Sequence, residues 1–212
     1  MLGSAHRLLV ATRNAGKRAE LVALLAPLGA SILSLDMAGI AESPDEDAIE
    51  AHSTFEENAL AKARHFHGLS GLPTIADDSG LAVDALGGAP GVRSRRWSGR
   101  SDLQGAALDA ANNALLVRSL RGIEDRGARF VCAVAFVDGR RELVRRGETV
   151  GRIVDEPRGT MGFGYDPHFF SLELQRTFGE ASRDEKAQVS HRGRALRALR
   201  SALLGAEDAV GR

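Results

Sequence analysis

The sequence contains one cysteine, Cys132, and therefore no disulfide framework and no thiolate zinc site. That residue lies in the apolar run Phe130–Val137 and reads as a buried strand position. The absence of disulfides suits a reducing, cytoplasmic setting. Neither sign of charge is in excess, since 28 Lys and Arg balance 28 Asp and Glu. This argues against a general nucleic-acid binder and against a membrane-surface binder. No apolar segment approaches the roughly 20 residues of a membrane span, and Met1–Arg7 lacks the apolar core of a secretion signal. Internal repeats and long linkers are missing too. What remains is a chain of 212 residues, 43% hydrophobic and 26% charged. That is enough to bury a real core, as one large domain or as two lobes sharing a sheet.

The stretch Pro73–Gly80 organises the rest. Thr74 and Ile75 begin a short apolar run that stops at two adjacent carboxylates, Asp77 and Asp78, followed by Ser79 and Gly80. This order reads as a strand whose end delivers two acids to a turn at the rim of a sheet, where open α/β sheets bind ligands. Successive strand residues point to opposite faces, so the two acids are expected to do different jobs. Leu81–Leu86 then reads as a returning strand.

Earlier in the chain, Arg7–Ala11 reads as a buried strand and Thr12-Arg13-Asn14-Ala15-Gly16-Lys17 as the loop after it, with a helix from about Lys17 to Leu28. Strand, glycine loop and helix present backbone N–H groups and a positive helix end to an anion, and Thr12, Asn14 and Lys17 add donors. The loop is not a Walker A motif: Ala11 and Arg18 stand where that motif needs Gly and Ser or Thr. Residues 37–51 are acidic and loop-like. Ser53 and Thr54, with Glu56 and Glu57, open a capped helix on which Asn58 and Lys62 share the face of Phe55, Ala59 and Phe66. A polar pair on an apolar stripe needs partners.

Farther on, a helix is expected over 102–120 with Leu103, Leu108, Ala111, Leu115 and Leu116 buried. Phe130–Val137 reads as a central strand, and Asp138-Gly139 as the turn to a return strand, Glu142–Thr149. Gly162-Phe163-Gly164-Tyr165-Asp166-Pro167 forms a second glycine loop with two aromatics. His191 and Arg192 open the last helix, where cations oppose the helix dipole and call for an anionic or carbonyl-bearing partner. Loop, lysines and acid pair together suggest a Mg²⁺-dependent enzyme of nucleotides or phosphate esters. Carboxylates such as Glu50 and Asp78 are what Mg²⁺ needs when phosphate supplies its other ligands.

Five segments taken together, Thr12–Lys17, Phe55–Ala63, Ala76–Leu81, Phe163–Pro167 and Ser190–Gly193, closely resemble the inosine triphosphate pyrophosphatase family. Each is unspecific alone, but all five occur in the family's order across nearly the whole chain. The resemblance implies an α/β fold with a long, twisted mixed sheet, flanking helices and two lobes around a central cleft. It implies one domain over residues 1–204 with a tail over 205–212, a cytoplasmic homodimer, and Mg²⁺-dependent hydrolysis of ITP, dITP, XTP and dXTP to monophosphate and pyrophosphate. Carried over by position, Asp78 matches the general base and a metal ligand, Glu50 the other metal carboxylate, with Asp47 as a competitor, and Asp77 supports the pair. Thr12, Arg13, Asn14, Ala15, Gly16, Lys17, Asn58, Lys62 and Ser79 match the phosphate and sugar side. Phe163, Gly164, Tyr165, Asp166, Lys186, His191 and Arg192 match the nucleobase side.

Selectivity is then expected to come from Arg192. A guanidinium only donates, so it would favour the 6-carbonyl of hypoxanthine or xanthine over the amine of adenine. Two other readings compete: a pyrophosphatase of pyrimidine or modified nucleotides, and a non-enzymatic nucleotide- or RNA-binding module using the arginines around Trp97 and Arg194.

Overall fold

The computed structural model describes residues 7–43 and 46–210. The chain divides into two compact units. One comprises Met1–Asp78, Cys132–Gly147 and Arg192–Arg212, the other Ser79–Val131 and Glu148–His191. In chain order the elements are β1 (Arg7–Val10), α1 (Ala15–Leu25), β2 (Ser31–Ser34), α2 (Glu46–Ile49), α3 (Phe55–Ser70), β3 (Thr74–Val83), α4 (Gly105–Ser119), β4 (Gly127–Val137), β5 (Glu142–Ile153), β6 (Phe169–Ser171), β7 (Arg176–Thr177), α5 (Arg183–Val189) and α6 (His191–Val210). The strands form one open sheet in the order β2-β1-β3-β4-β5-β6-β7. It is mixed: β1 runs parallel to β2 and to β3, whereas β6 is antiparallel to both β5 and β7.

In the first unit the apolar faces of α1 and α6 cover the sheet. Leu21 and Leu25 from α1 and Leu196, Leu199 and Leu203 from α6 pack with Leu8, Val10, Ile75, Val134 and Phe136. Their three- and four-residue spacing puts each set on one helix face. The second unit is built around Leu81, Val83, Leu116, Leu120, Ile153 and a cluster of rings. Phe169 lies with its ring centroid 4.5 Å from that of Phe130 and 5.1 Å from that of Phe178.

Four expectations change. The Asp-Asp-Ser-Gly sequence makes no turn: β3 runs unbroken from Thr74 to Val83, and Asp84–Leu86 is a 3₁₀ turn rather than strand. Gly80 serves close approach, since a Cβ there would lie 2.4 Å from the Gly91 carbonyl oxygen and 2.3 Å from Ser94 Oγ. Ser94 Oγ accepts a hydrogen bond from the Leu81 N–H at 2.8 Å, bracing the strand where its composition suggests a bend. Next, α4 starts at Gly105; of the expected buried set Leu116 is fully buried and Leu108, Ala111 and Leu115 are half-buried, and Asn112 joins them inside. Asn112 is buried because it bridges backbone, accepting from Ser98 N–H at 2.8 Å and donating to the Arg95 carbonyl at 3.0 Å. The return strand β5 extends to Ile153. Lastly, α6 continues through Val210, past the start of the expected tail; residues 211 and 212 lie outside those described.

Candidate active site

The loop after β1 is shaped by its own side chains. Thr12 Oγ1 accepts from the Asn14 N–H at 3.2 Å, and Asn14 Oδ1 accepts from the Lys17 N–H at 2.9 Å, which makes Asn14 the N-cap of α1. Ala15 and Gly16 form the first turn, where helix N–H groups lack intrahelical acceptors. Capping fixes the direction of α1 and with it Lys17, whose Nζ lies 3.4 Å from Asp77 Oδ2. Arg13 turns away from these acids. Its guanidinium bonds Glu46 at 2.8 and 3.1 Å, Asp36 at 3.2 Å, and the carbonyls of Ile40 and Ala41 at 3.1 and 2.9 Å. Arg13 therefore fastens the acidic segment to the loop, and Glu46 is bound rather than merely solvated.

Asp77 and Asp78 face opposite ways from β3, as strand alternation requires. Asp77 is wholly buried, at 0% exposure. Its Oδ2 accepts from Nε and Nη2 of Arg192 at 3.2 and 3.1 Å. Burial alone would push this carboxyl up, but Lys17, Arg192 and Lys62 together hold it well below the ordinary range. Asp78 shows the reverse. Burial pushes its carboxyl up, the charge of Glu50 adds to this, and Lys17, Lys62 and the hydrogen bond from Asn58 only partly oppose it. One acid is thus fixed as an anion, while its neighbour is tuned toward taking a proton.

The polar pair on α3 finds the partners it needs. Asn58 Nδ2 donates to Asp78 Oδ2 at 3.0 Å, and Asn58 Oδ1 accepts from the His52 N–H at 2.9 Å. Lys62 Nζ donates to the Asp77 carbonyl at 2.9 Å and pairs with Glu50. Glu50 thereby joins the cluster; the side chain of its competitor Asp47 lies outside the described residues. Burial opposes the charge on Lys62, yet Glu50, Asp77 and Asp78 raise its pKa.

Arg192 opens α6 from within the core of the first unit. Only 1% exposed, it pairs with Asp77 through two of its nitrogens and with Glu20 of α1 through a third. Its fork is held by Asp77 of the acid pair and by Glu20. The anionic partner that a cation at a helix start calls for is Asp77.

The second unit gathers Phe163, Gly164, Tyr165, Asp166, Lys186 and His191. Asp166 Oδ2 accepts from the Phe163 N–H at 2.8 Å and from Lys186 Nζ at 2.6 Å, both partners of the pair being buried. Lys186 is aimed by α5, whose start Ser182 and Glu185 cap reciprocally. Its ammonium also lies over the rings of Phe163 and Phe178, 5.0 and 5.4 Å from their centroids. The hydroxyl of Tyr165 donates to the Ser94 carbonyl at 2.8 Å, and the His191 ring stacks on Phe130 with centroids 4.7 Å apart. Ser79, half-buried, follows Asp78 on β3.

Sequence reasoning missed Glu20, Asp109 and Asn113. Glu20 follows Lys17 by three residues and precedes the buried Leu21, so helix spacing could have placed it beside Lys17. Nothing local marks the other two, which bind the backbone of Gly164, 55 and 51 residues away.

An open mixed sheet carrying a buried acid–lysine cluster defines an α/β protein with a polar site built onto its central strand. More particularly, the chain belongs to the Ham1 family, whose model matches residues 8–202. It is 50% identical over 197 residues to a dITP/XTP pyrophosphatase of Ralstonia nicotianae, covering 92% of this chain and 94% of that protein. To a dITP/XTP pyrophosphatase of Mycobacterium bovis it is 52% identical over 199 residues, 93% and 95% of the respective chains. Among solved structures it resembles a HAM1 protein from Coxiella burnetii with a TM-score of 0.80 at 36% identity, covering 94% of this chain and 99% of that one.

Proposed function

We propose that the protein hydrolyses non-standard purine nucleoside triphosphates, ITP, dITP, XTP and dXTP, to the monophosphate and pyrophosphate. The observation that carries this reading is Asp78, a buried carboxyl tuned upward and held by Asn58 beside Lys17, Lys62 and Glu50. Substantial identity to relatives named dITP/XTP pyrophosphatases supplies the substrate class.

The cluster fits a divalent cation. The carboxylates of Glu50 and Asp78 lie in one charge cluster with Lys17 and Lys62. Asp78 and Glu50 repel one another, which a cation between them would relieve. Mg²⁺ is commonly bound through one or two carboxylates and completes its shell with phosphate and water. Glu50 and Asp78 would hold it. Bound Mg²⁺ there supplies neutralisation of the triphosphate and a lowered pKa for water.

The chain's own residues do the rest. Lys17 and Lys62 offer positive charge to the phosphates, and the first turn of α1 offers its N–H groups. Asp78 takes the proton of the attacking water as the α–β anhydride opens, with Asn58 holding its carboxylate in place. Asp77, its carboxyl held well below the ordinary range, keeps Lys17 and Arg192 positioned. Phe163–Asp166, Lys186 and His191 form the base side. A cytoplasmic homodimer belongs to the same reading.

The test is pyrophosphate release from ITP, XTP, dTTP, GTP and ATP, with and without Mg²⁺, comparing wild type with Asp78→Asn. Metal-dependent release from ITP and XTP that drops by about 10²–10⁴-fold in the variant supports the reading. Activity confined to dTTP indicates a pyrimidine enzyme, and none at all a binding module.

A further inference from the structure

Gly164 lies in the left-handed region, at φ +61°, between the two aromatics of the glycine loop. Both of its backbone polar groups are taken by one helix face. Its N–H donates to Asp109 Oδ2 at 2.8 Å, and its carbonyl accepts from Asn113 Nδ2 at 2.9 Å. Asp109 and Asn113 are four residues apart on α4, hence neighbours on its surface. An acceptor and a donor at that spacing fix both the position of Gly164 and the direction in which its peptide groups point. The flanking residues are also tied, Phe163 through its N–H to Asp166 and Tyr165 through its hydroxyl to the Ser94 carbonyl.

A second observation separates this clamp from ordinary packing. Asn113 Oδ1 is buried and has no hydrogen-bond partner among the described residues. The amide holds the orientation in which Nδ2 serves Gly164.

We infer that Asp109 and Asn113 are positioning residues for substrate recognition. They set the Phe163–Asp166 loop so that Phe163 and the Lys186–Asp166 pair meet the base in one geometry. The inference rests on the proposed purine triphosphate pyrophosphatase reading. Neither residue touches substrate in this scheme; each acts through the backbone of Gly164.

The experiment measures KM and kcat for ITP in wild type, Asp109→Ala, Asn113→Ala and Asp109→Asn. It also follows hydrogen exchange of the Gly164 amide in each. Loss of one bond to the loop is expected to raise KM at least about tenfold in the two alanine variants while kcat stays within about twofold. Asp109→Asn keeps an acceptor oxygen and should recover most of the affinity. Gly164 exchange should quicken in Asp109→Ala and not in Asp109→Asn. Unchanged KM in both alanine variants of an ITP-active protein overturns the inference, as does an Asp109→Asn variant no better than Asp109→Ala. If Asp109→Ala fails to fold, Asn113→Ala decides through the other bond, and an unchanged KM in it overturns the inference. A wild type inactive on ITP overturns the proposed function and the inference together.

Discussion

Asn58 joins two parts of the site through one amide: Nδ2 reaches Asp78 Oδ2 at 3.0 Å while Oδ1 receives the His52 N–H at 2.9 Å. The acid on β3 and the segment leading away from Glu50 are therefore held by the same side chain. Asn58→Ala should cut ITP hydrolysis by about 10–100-fold, the loss expected for a hydrogen bond to a charged group. Asn58→Asp should be worse, because it sets a third carboxylate against Asp78 and Glu50. Steady-state rates alongside circular dichroism check this. A variant as active as wild type would show that Asp78 needs no such support.

Asp77 should dominate the acid sensitivity of the fold. Its carboxyl lies well below the ordinary range in the folded state and near ~3.9 when unfolded. A depressed folded pKa contributes stability that is fully present above the unfolded value and is lost as pH falls toward the folded one. Urea midpoints should thus hold steady above about pH 4 on this account and fall below it. Asp77→Asn should lose roughly 3–5 kcal/mol at neutral pH, since it leaves Arg192 buried with a weaker partner. The variant's stability should also depend less on pH below 4. An Asp77→Asn protein matching wild type in stability at pH 7 would contradict this account of the pair.

Two glycines should answer oppositely to alanine. At Gly80 a Cβ meets the Gly91 carbonyl at 2.4 Å, backbone that cannot swing away. Gly80→Ala should cost about 1–3 kcal/mol or more. Gly68, exposed on α3, has nothing within 4 Å of an added Cβ. Gly68→Ala should stabilise by about 0.4–1 kcal/mol through helix propensity and a less free unfolded chain. Thermal unfolding of both variants decides it; a neutral Gly80→Ala would remove close approach as the reason for that glycine.

Cys132 should be inert in the folded protein. It is completely buried, and burial with the nearby Asp77 charge pushes its thiol far up. A thiol reagent should modify it only as fast as the protein opens, and rapidly in urea. Prompt labelling under native conditions would mean that the core around β4 is open.

The parts of the molecule readable from sequence are those fixed by local rules. The caps at Asn14 and Thr54, the three- and four-residue spacing of Asn58 and Lys62, and the alternation that separates Asp77 from Asp78 all follow from neighbours in the chain. The errors have a common physical source in distant partners. Asp-Asp-Ser-Gly has turn composition, but Ser94 Oγ braces it as strand from 13 residues away. The pairing of Arg192 with Asp77 and Glu20, 115 and 172 residues away, is likewise marked by nothing local. Asn112 interrupts the expected apolar face of α4 because Ser98 and Arg95 offer it backbone partners.

The pairing of Arg192 with Asp77 also bears on how the protein is made. A ribosome emits β3 long before α6, and until residue 192 emerges the wholly buried position of Asp77 lacks its strongest hydrogen-bonding counterion. Lys17 and Lys62 precede Asp77 in the chain, so the first unit forms at that stage around a carboxylate that is only partly compensated. Nascent chains stalled before α6 should hold this region open and remain accessible to protease. On that expectation the acid cluster is completed only once α6 is in place, because Arg192 is its last member to be synthesised.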